Sequence, residues 1–265
     1  KKDFIQKIFL LVELTKKYGT LPFAGIARSA FISQRILIDL KENNLIDKHE
    51  FENFFNSLPS ITKEMNKNFN NLKNKNKLIK NYGHLRPSTY DITSLNYSEG
   101  FNSYFGYKSK YIIEKKIKFK GFQKARKINN LLRVNYGINL NEFLKFSKNS
   151  IYWREKSKFI FTKGINEVFI NLILLGKEIK ISRSDLQFLD IKNILNYFSK
   201  LENQKLKETL LEEIKKNKKE LQILKQIKLP DFIKSYQDIY SFYEAKTKIN
   251  FITNKNCAGK IYEIK

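Results

Sequence analysis

The residue types best suited to chemistry in this 265-residue sequence are gathered in Tyr82-Gly83-His84-Leu85-Arg86-Pro87-Ser88-Thr89-Tyr90-Asp91. Pro87 biases Arg86 away from the helical region of backbone space. In an extended segment His84 and Arg86 then project to the same side. A guanidinium beside an imidazole can hold a phosphate or a carboxylate, and Tyr90 and Asp91 add a phenol and a carboxylate nearby. The plainer alternative is an ordered loop in which Arg86 pairs with Asp91 and His84 bonds to backbone.

Two further arginines stand in helical patterns. Arg28 lies in a stretch that is apolar nearly all round, and Ile32, Arg35 and Asp39 continue its stripe. If buried, Arg28 requires a partner, because removing one partner of a buried pair costs roughly 3–5 kcal/mol. The alternatives are an internal ion pair, to Asp91 or Glu155, or a cavity that receives an anionic substrate. Arg154 shares a helix face with Lys158, with Glu155 adjacent, and a helix-surface charge set accounts for that group equally simply.

Other catalytic signatures are missing. The sequence has no glycine-rich phosphate or dinucleotide loop and no Cys/His cluster with metal-ligand spacing. We therefore expect no metal site and no catalytic residue in this chain. His49, in Lys48-His49-Glu50, reads as a surface residue. The single cysteine, Cys257, excludes an internal disulfide and suits a cytoplasmic protein.

A net charge of +25 invites a nucleic-acid reading. The charge is nearly all lysine, whereas base and phosphate recognition favours arginine's planar fork, so the composition argues against that class. The best candidate for it is Lys108 to Lys127, interleaved with Tyr111, Phe119 and Phe122. Hydrophobic residues make up 42% of the chain, with 22 Phe and 14 Tyr, which is enough for a sizeable core. No apolar run approaches the roughly 18 residues of a membrane span. The N-terminus lacks both an initiator Met and a signal-peptide layout, and the sequence starts and stops as a fragment would.

The elements that must position these residues are helical, and the expected class is all-α. Apolar spacing predicts a helix over 3–18 that Gly19 ends, and a second over 22–43 that begins at Pro22. The second carries Ala24, Gly25, Ala27, Ser29 and Ala30, which let a neighbour approach closely, and it is expected to be central. Asp47 caps a short helix, and Ser60 or Thr62 another that reaches about Leu78. Periodicity fails from Asn81 to Tyr107. A loop that long inside a domain is usually functional or disordered, and its aromatic content argues against disorder. Helices resume over 122–135 and over 141–176, the latter kinked near Gly164. Ser182-Arg183-Ser184-Asp185 is a helix-start signal, Asp190 caps another helix, and 204–226 is amphipathic, with Glu212 and Lys216 as a supporting pair. Residues 249–253 read as extended.

Taken in order, these motifs resemble a known family. Tyr18-Gly19-Thr20-Leu21-Pro22-Phe23-Ala24 with Ala27-Arg28, then Gly83-His84-Leu85-Arg86-Pro87 with Thr89-Tyr90-Asp91, are similar to the middle region of phosphoenolpyruvate-synthase-like proteins. Arg154-Glu155 with Lys158-Phe159, Gly176, and Ser182-Arg183-Ser184-Asp185-Leu186 resemble a pattern shared with rifampicin phosphotransferase. Asn250-Phe251-Ile252-Thr253 resembles the passage into a following domain. Ser88 departs from the pattern, which has glycine there.

The resemblance implies a helical, acceptor-side domain over 1–248 and an extended linker over 249–265. It implies a parent phosphotransferase with an ATP-grasp domain and a swivelling domain that carries a phosphohistidine. ATP and Mg2+ belong to that parent, and no cofactor to this segment, which alone would be inactive. Neither His84 nor His49 sits in a phosphohistidine motif. On this reading Arg28, His84, Arg86, Tyr90, Asp91 and Arg154 line one site for a small-molecule phosphoryl acceptor. Gly83, Pro87, Glu155, Arg183 and Asp185 brace it. A basic nucleic-acid-binding protein and a scaffold that only packs domains together are the competing expectations.

Overall fold

A computed structural model describes residues 2–71, 75–106, 117–196, 206–228, 230, 233 and 235–241. Among these residues every regular element is helical and there is no strand: the protein is all-α. The chain divides into two compact units, residues 1–215 and 216–265. The extended segment expected at 249–253 and the linker over 249–265 lie outside the described residues.

The first unit is organised on one long helix. α1 (Lys2–Thr15), a five-residue π-helical turn (Lys16–Thr20) and α2 (Leu21–Glu42) follow one another without a break. After α3 (Lys48–Ser57), α4 (Ile61–Asn71), α5 (Lys75–Tyr82), α6 (Phe101–Tyr104) and α7 (Ala125–Tyr136) comes α8, which runs uninterrupted from Leu140 to Ile179. Forty residues at 1.5 Å each make α8 about 60 Å long. α1 and α2 lie antiparallel along it, since Gly19 and Phe23 meet Phe161 while Phe31 meets Arg154. The short helices α9 (Arg183–Leu186) and α10 (Ile191–Asn196) follow, then α11 (Leu206–Leu224), within which the unit boundary falls.

Local chemistry sets the helix starts. Asp47 and Glu50 close a capping box on α3, and Asn139 and Glu142 close another on α8. Ser182 caps α9 by accepting the Asp185 N–H at 3.1 Å. Asp190 accepts the Lys192 N–H ahead of α10, and Ser60 accepts the Lys63 N–H at the start of α4.

The two glycines read as a helix end (Gly19) and a kink (Gly164) make room for a neighbouring helix. Gly19 lies within the π turn of a helical run that continues into α2, and Gly164 lies within α8. A Cβ on Gly19 would stand 2.7 Å from Cβ of Phe161, and one on Gly164 would overlap the Thr15 side chain. Both are notches that let the antiparallel helices approach closely. The π turn precedes Pro22, which has no N–H to donate and whose ring would crowd a regular helical turn.

α2 is not enclosed on all sides as expected. Ala27, Ala30, Ser33, Leu37 and Leu40 are buried, but Leu21, Phe31 and Ile32 are exposed. Its small residues do admit the close neighbour, which is α8. By length and composition α8 could cross a membrane, with a mean hydropathy of 1.4 over its most apolar window. In this fold its apolar residues supply both cores. One core joins Ile5, Ile8, Leu172, Leu175, Ile194 and Leu210, and the other joins Leu37, Phe54, Phe122, Ile128, Leu132 and Phe143.

In the second unit the end of α11 carries an ion pair between Lys216 and Glu220 at 3.8 Å, so Glu220 takes the place expected for Glu212. A 3-10 turn at Tyr236–Ile239 is capped by Ser235 and Asp238.

Candidate functional site

The irregular segment between α5 and α6 is ordered by its own backbone and by two arginines. Tyr97 N–H donates to the Leu85 carbonyl at 2.7 Å and Ser98 N–H to that of Gly83 at 3.1 Å, which closes the loop on itself. Asn96 and Glu99 bond reciprocally to each other's backbone N–H, and Tyr104 Oη donates to the Leu95 carbonyl.

Arg86 is buried at 7% exposure. Its Nη1 donates to the carbonyls of Asp91 and Ser94 at 3.3 and 3.2 Å, and its Nη2 donates to Asn166 Oδ1 at 2.7 Å. The guanidinium lies over the Phe169 ring, 4.8 Å from its centroid. Burial, and the nearby charge of Arg183, pull its pKa below the ordinary arginine value. Arg183 reaches the same loop from the start of α9. It donates to the carbonyls of Ile92 and Ser94 and pairs with Glu99 at 3.1 Å. The Ser94 carbonyl therefore accepts from both arginines, although these lie in motifs far apart in the sequence. Asp185 accepts from Ser182 Oγ at 2.8 Å and keeps that helix start in place.

His84 lies in a turn and not in the extended segment expected, yet both it and Arg86 reach α8. The His84 Nε2 is 3.1 Å from the Phe159 carbonyl, two turns before Asn166. Burial is the main reason that its pKa falls to about 4, and the charge of Lys163 adds to it. The imidazole is therefore neutral at pH 7. The cavity around His84, Arg86, Thr162 and Asn166 holds about 10 Å³, too little for a phosphate.

Arg86 thus meets the backbone carbonyl of Asp91 and not its carboxylate. That carboxylate accepts the Thr93 N–H and Oγ1–H at 2.8 and 2.6 Å, which hold its pKa below the usual value. Gly83 is buried beneath the turn, where a Cβ would overlap the Ile79 carbonyl. Pro87 is exposed. Ser88 has no positive φ, so its backbone does not require the glycine of the family pattern.

The six residues expected to share a site divide into two groups. Asn166, which Arg86 holds, lies twelve residues beyond Arg154 on α8, about 18 Å along the axis. Arg154 pairs with Glu155 at 3.4 Å and lies over Phe31, while its Nε is buried with no hydrogen-bond partner. Arg28 is exposed on α2 and is not the buried arginine that needed a partner. Its stripe does contain a pair, Arg35 with Asp39 at 2.7 Å. The separation follows from α2 lying antiparallel to α8, which carries Arg28 toward the Arg154 end.

Beside the ordered loop lies a cleft of about 540 Å³. Tyr90 and Asp91 border it on the loop side, Phe169 and Leu172 on α8, and Gln187 and Ile191 opposite. Its walls are mostly apolar, with one ionised carboxylate. The residues that the sequence reading missed are Asn166, Ser94 and Glu99, which seat the arginines. Asn166 had a signal: it is an amide between Ile165 and Val168 at a buried position of α8, whose other buried polar side chains are the smaller Ser147, Ser150 and Thr162.

Among the described residues no group of three or more His, Cys, Asp or Glu side chains could hold a metal ion. His49 is exposed and contacts Asn53. Of the basic segment, 107–116 lies outside the described residues, Tyr111 included. Phe122 is buried against Phe54 in the second core, and Phe119 packs half-buried on the same ring. Comparisons with protein-family models, curated proteins and solved structures find no match for this chain.

Proposed function

We propose that this chain is the acceptor-side helical domain of an ATP-dependent phosphotransferase resembling phosphoenolpyruvate synthase, whose phosphoryl group arrives on a histidine carried by another domain. One observation carries this reading. The two motifs behind the resemblance, around Arg86 and around Arg183, meet on the Ser94 carbonyl and order the loop that walls the 540 Å³ cleft. That volume suits a small molecule, and apolar walls with a few polar groups are the usual form of such a site.

The chemistry assigned to each residue follows from its surroundings. Asp91, ionised and hydrogen-bonded by Thr93, is a weak base, so it orients an acceptor hydroxyl and does not remove its proton early. Tyr90 and Gln187 supply polar contacts at the rim. Arg86 and Arg183 position the loop, because their donors are engaged by protein. Charge stabilisation of the transferring phosphoryl group, which dominates this reaction class, then belongs to the ATP- and Mg2+-binding and phosphohistidine domains.

The test is equilibrium binding of candidate acceptors to the isolated chain, with ATP hydrolysis measured alongside. We expect no ATP turnover, and binding of a hydroxyl-bearing compound with an apolar body in preference to pyruvate or a hexose. Ile191→Trp, which fills the cleft from its outer wall, should abolish that binding. Hydrolysis of ATP by the isolated chain, or binding unaffected by Ile191→Trp, overturns the reading.

A further inference from the structure

On another face of the unit, α4, α5 and α8 enclose a second cleft of about 360 Å³. α8 contributes Lys156, Phe159 and Lys163 to it. This i, i+3, i+7 spacing puts the three on one helix face. The two ammonium groups lie 5.4 and 5.6 Å from the centroid of the single Phe159 ring. α5 adds Lys80 and the buried Tyr82, and α4 adds Glu64, the one carboxylate in the lining. Three lysines against one glutamate leave an excess of two positive charges.

Two facts separate this group from the general lysine surface. First, Lys156 and Lys163 are gathered on one aromatic ring, and none of the three lysines is held by an ion pair or hydrogen bond with a described residue. Second, the place is concave and shaped by aromatic rings: Tyr82 and His84 both pack edge-on against Phe159. Like charges held around one ring in a cleft repel each other, and that repulsion is relieved when a dianion enters. Tyr82 Oη accepts from Asn68 Nδ2 at 2.6 Å, which leaves its own O–H to donate.

We propose that this cleft binds a small phosphate-bearing molecule, with Lys80, Lys156 and Lys163 as its charge partners. A phosphate monoester carries close to two negative charges at pH 7, which matches the excess in the lining. Lysine binds phosphate as a movable point charge and needs no planar fork. The site shares no lining residue with the apolar acceptor cleft and stands whether or not the acceptor reading holds.

Binding of inorganic pyrophosphate, AMP and adenosine to the full chain, followed by calorimetry in about 0.15 M salt, tests the proposal. The two phosphate-bearing probes should bind and adenosine should not. AMP tighter than pyrophosphate assigns an organic ester, and the reverse order assigns an inorganic anion; both support the site. The variant Lys156→Ala/Lys163→Ala should weaken binding about a hundredfold, roughly tenfold for each charge-assisted bond removed. Lys177→Ala/Lys192→Ala removes the same charge elsewhere and should leave binding within about twofold, the scale of screened surface charge.

A second readout is local. His84 titrates low partly because of Lys163, so filling the cleft with pyrophosphate should raise its pKa while that of His49 stays fixed. Both are read from histidine ring NMR signals. Adenosine binding as well as AMP, equal losses in the two double variants, or a stationary His84 overturns the proposal.

Discussion

Around residues 140–143, α8 packs against side chains that carry no charge; around 166–172, it is held by Arg86 and borders open space. At the first end Phe54, Phe143, Ile128 and Leu132 are fully buried, and Phe119 and Phe122 close over Phe54 at 5.3 and 6.3 Å. At the second, Arg86 and Arg183 hold an irregular loop against the helix, and the apolar cleft opens beside it. Close packing gives stability with little directional information. A directional hydrogen-bond network fixes the path of a loop that has no regular secondary structure to define it. A surface meant to receive a ligand needs the second arrangement, because an enclosed core has no room for one.

Three perturbations break or sharpen this contrast. The largest effect is expected at the packed end. Phe54→Ala should cost about 3–5 kcal/mol in urea unfolding, because it removes a fully buried ring and leaves a cavity. Amide protection in the folded loop over 83–100 should persist; losing it would mean that the two ends are not independent.

Arg86→Met comes next. It strands the Asp91 carbonyl, while the Ser94 carbonyl keeps Arg183 and the Asn166 amide oxygen keeps Asn96, a loss of about 1–3 kcal/mol. Hydrogen exchange should show the damage concentrated in 83–100. Arg86→Lys should not restore protection, since one ammonium group cannot reproduce the fork. Full protection in the lysine variant would mean that charge, and not geometry, holds the loop.

The smallest effect is a pH slope. The folded-state pKa of His84 is depressed to about 4, so the unfolded chain binds the proton more readily between that value and the ordinary 6.5. The stability contributed by neutral His84 is complete above pH 6.5 and falls as pH drops to about 4. His84→Gln should flatten the curve of unfolding free energy against pH in that window. An unchanged slope would mean that the ring is not shielded from water.

Much of this arrangement was legible in the sequence, and the failures share a physical cause. Helix starts at Asp47, Ser60, Ser182 and Asp190 were readable because a cap involves residues only two or three apart. Gly19 was misread, and the close approach at Gly164 was missed, because a missing Cβ looks the same in sequence whether it frees the backbone or makes room for Phe161 and Thr15. That His84 and Arg86 belong to one irregular segment was visible from Gly83 and Pro87, but not that His84 sits in a turn. That their partners are Phe159 and Asn166 was not, since those contacts span 75 and 80 residues. The arginines grouped by residue type could not share a site once an antiparallel helix pair put them at different heights. Lys156 and Lys163 were hidden by their abundance: in a chain with 51 basic residues, only the fold shows which ones share a ring.

The π-helical turn at Lys16–Thr20 has a consequence of phase. Each residue added to a helix rotates everything after it by about 100°. A wide turn that accommodates one extra residue therefore works as a gear between α1 and α2, bringing the Ile5 and Ile8 stripe and the Ala27, Ala30 and Leu37 stripe to the same side, against one continuous partner helix. Remove a single residue there, and the two halves of the rod face different directions.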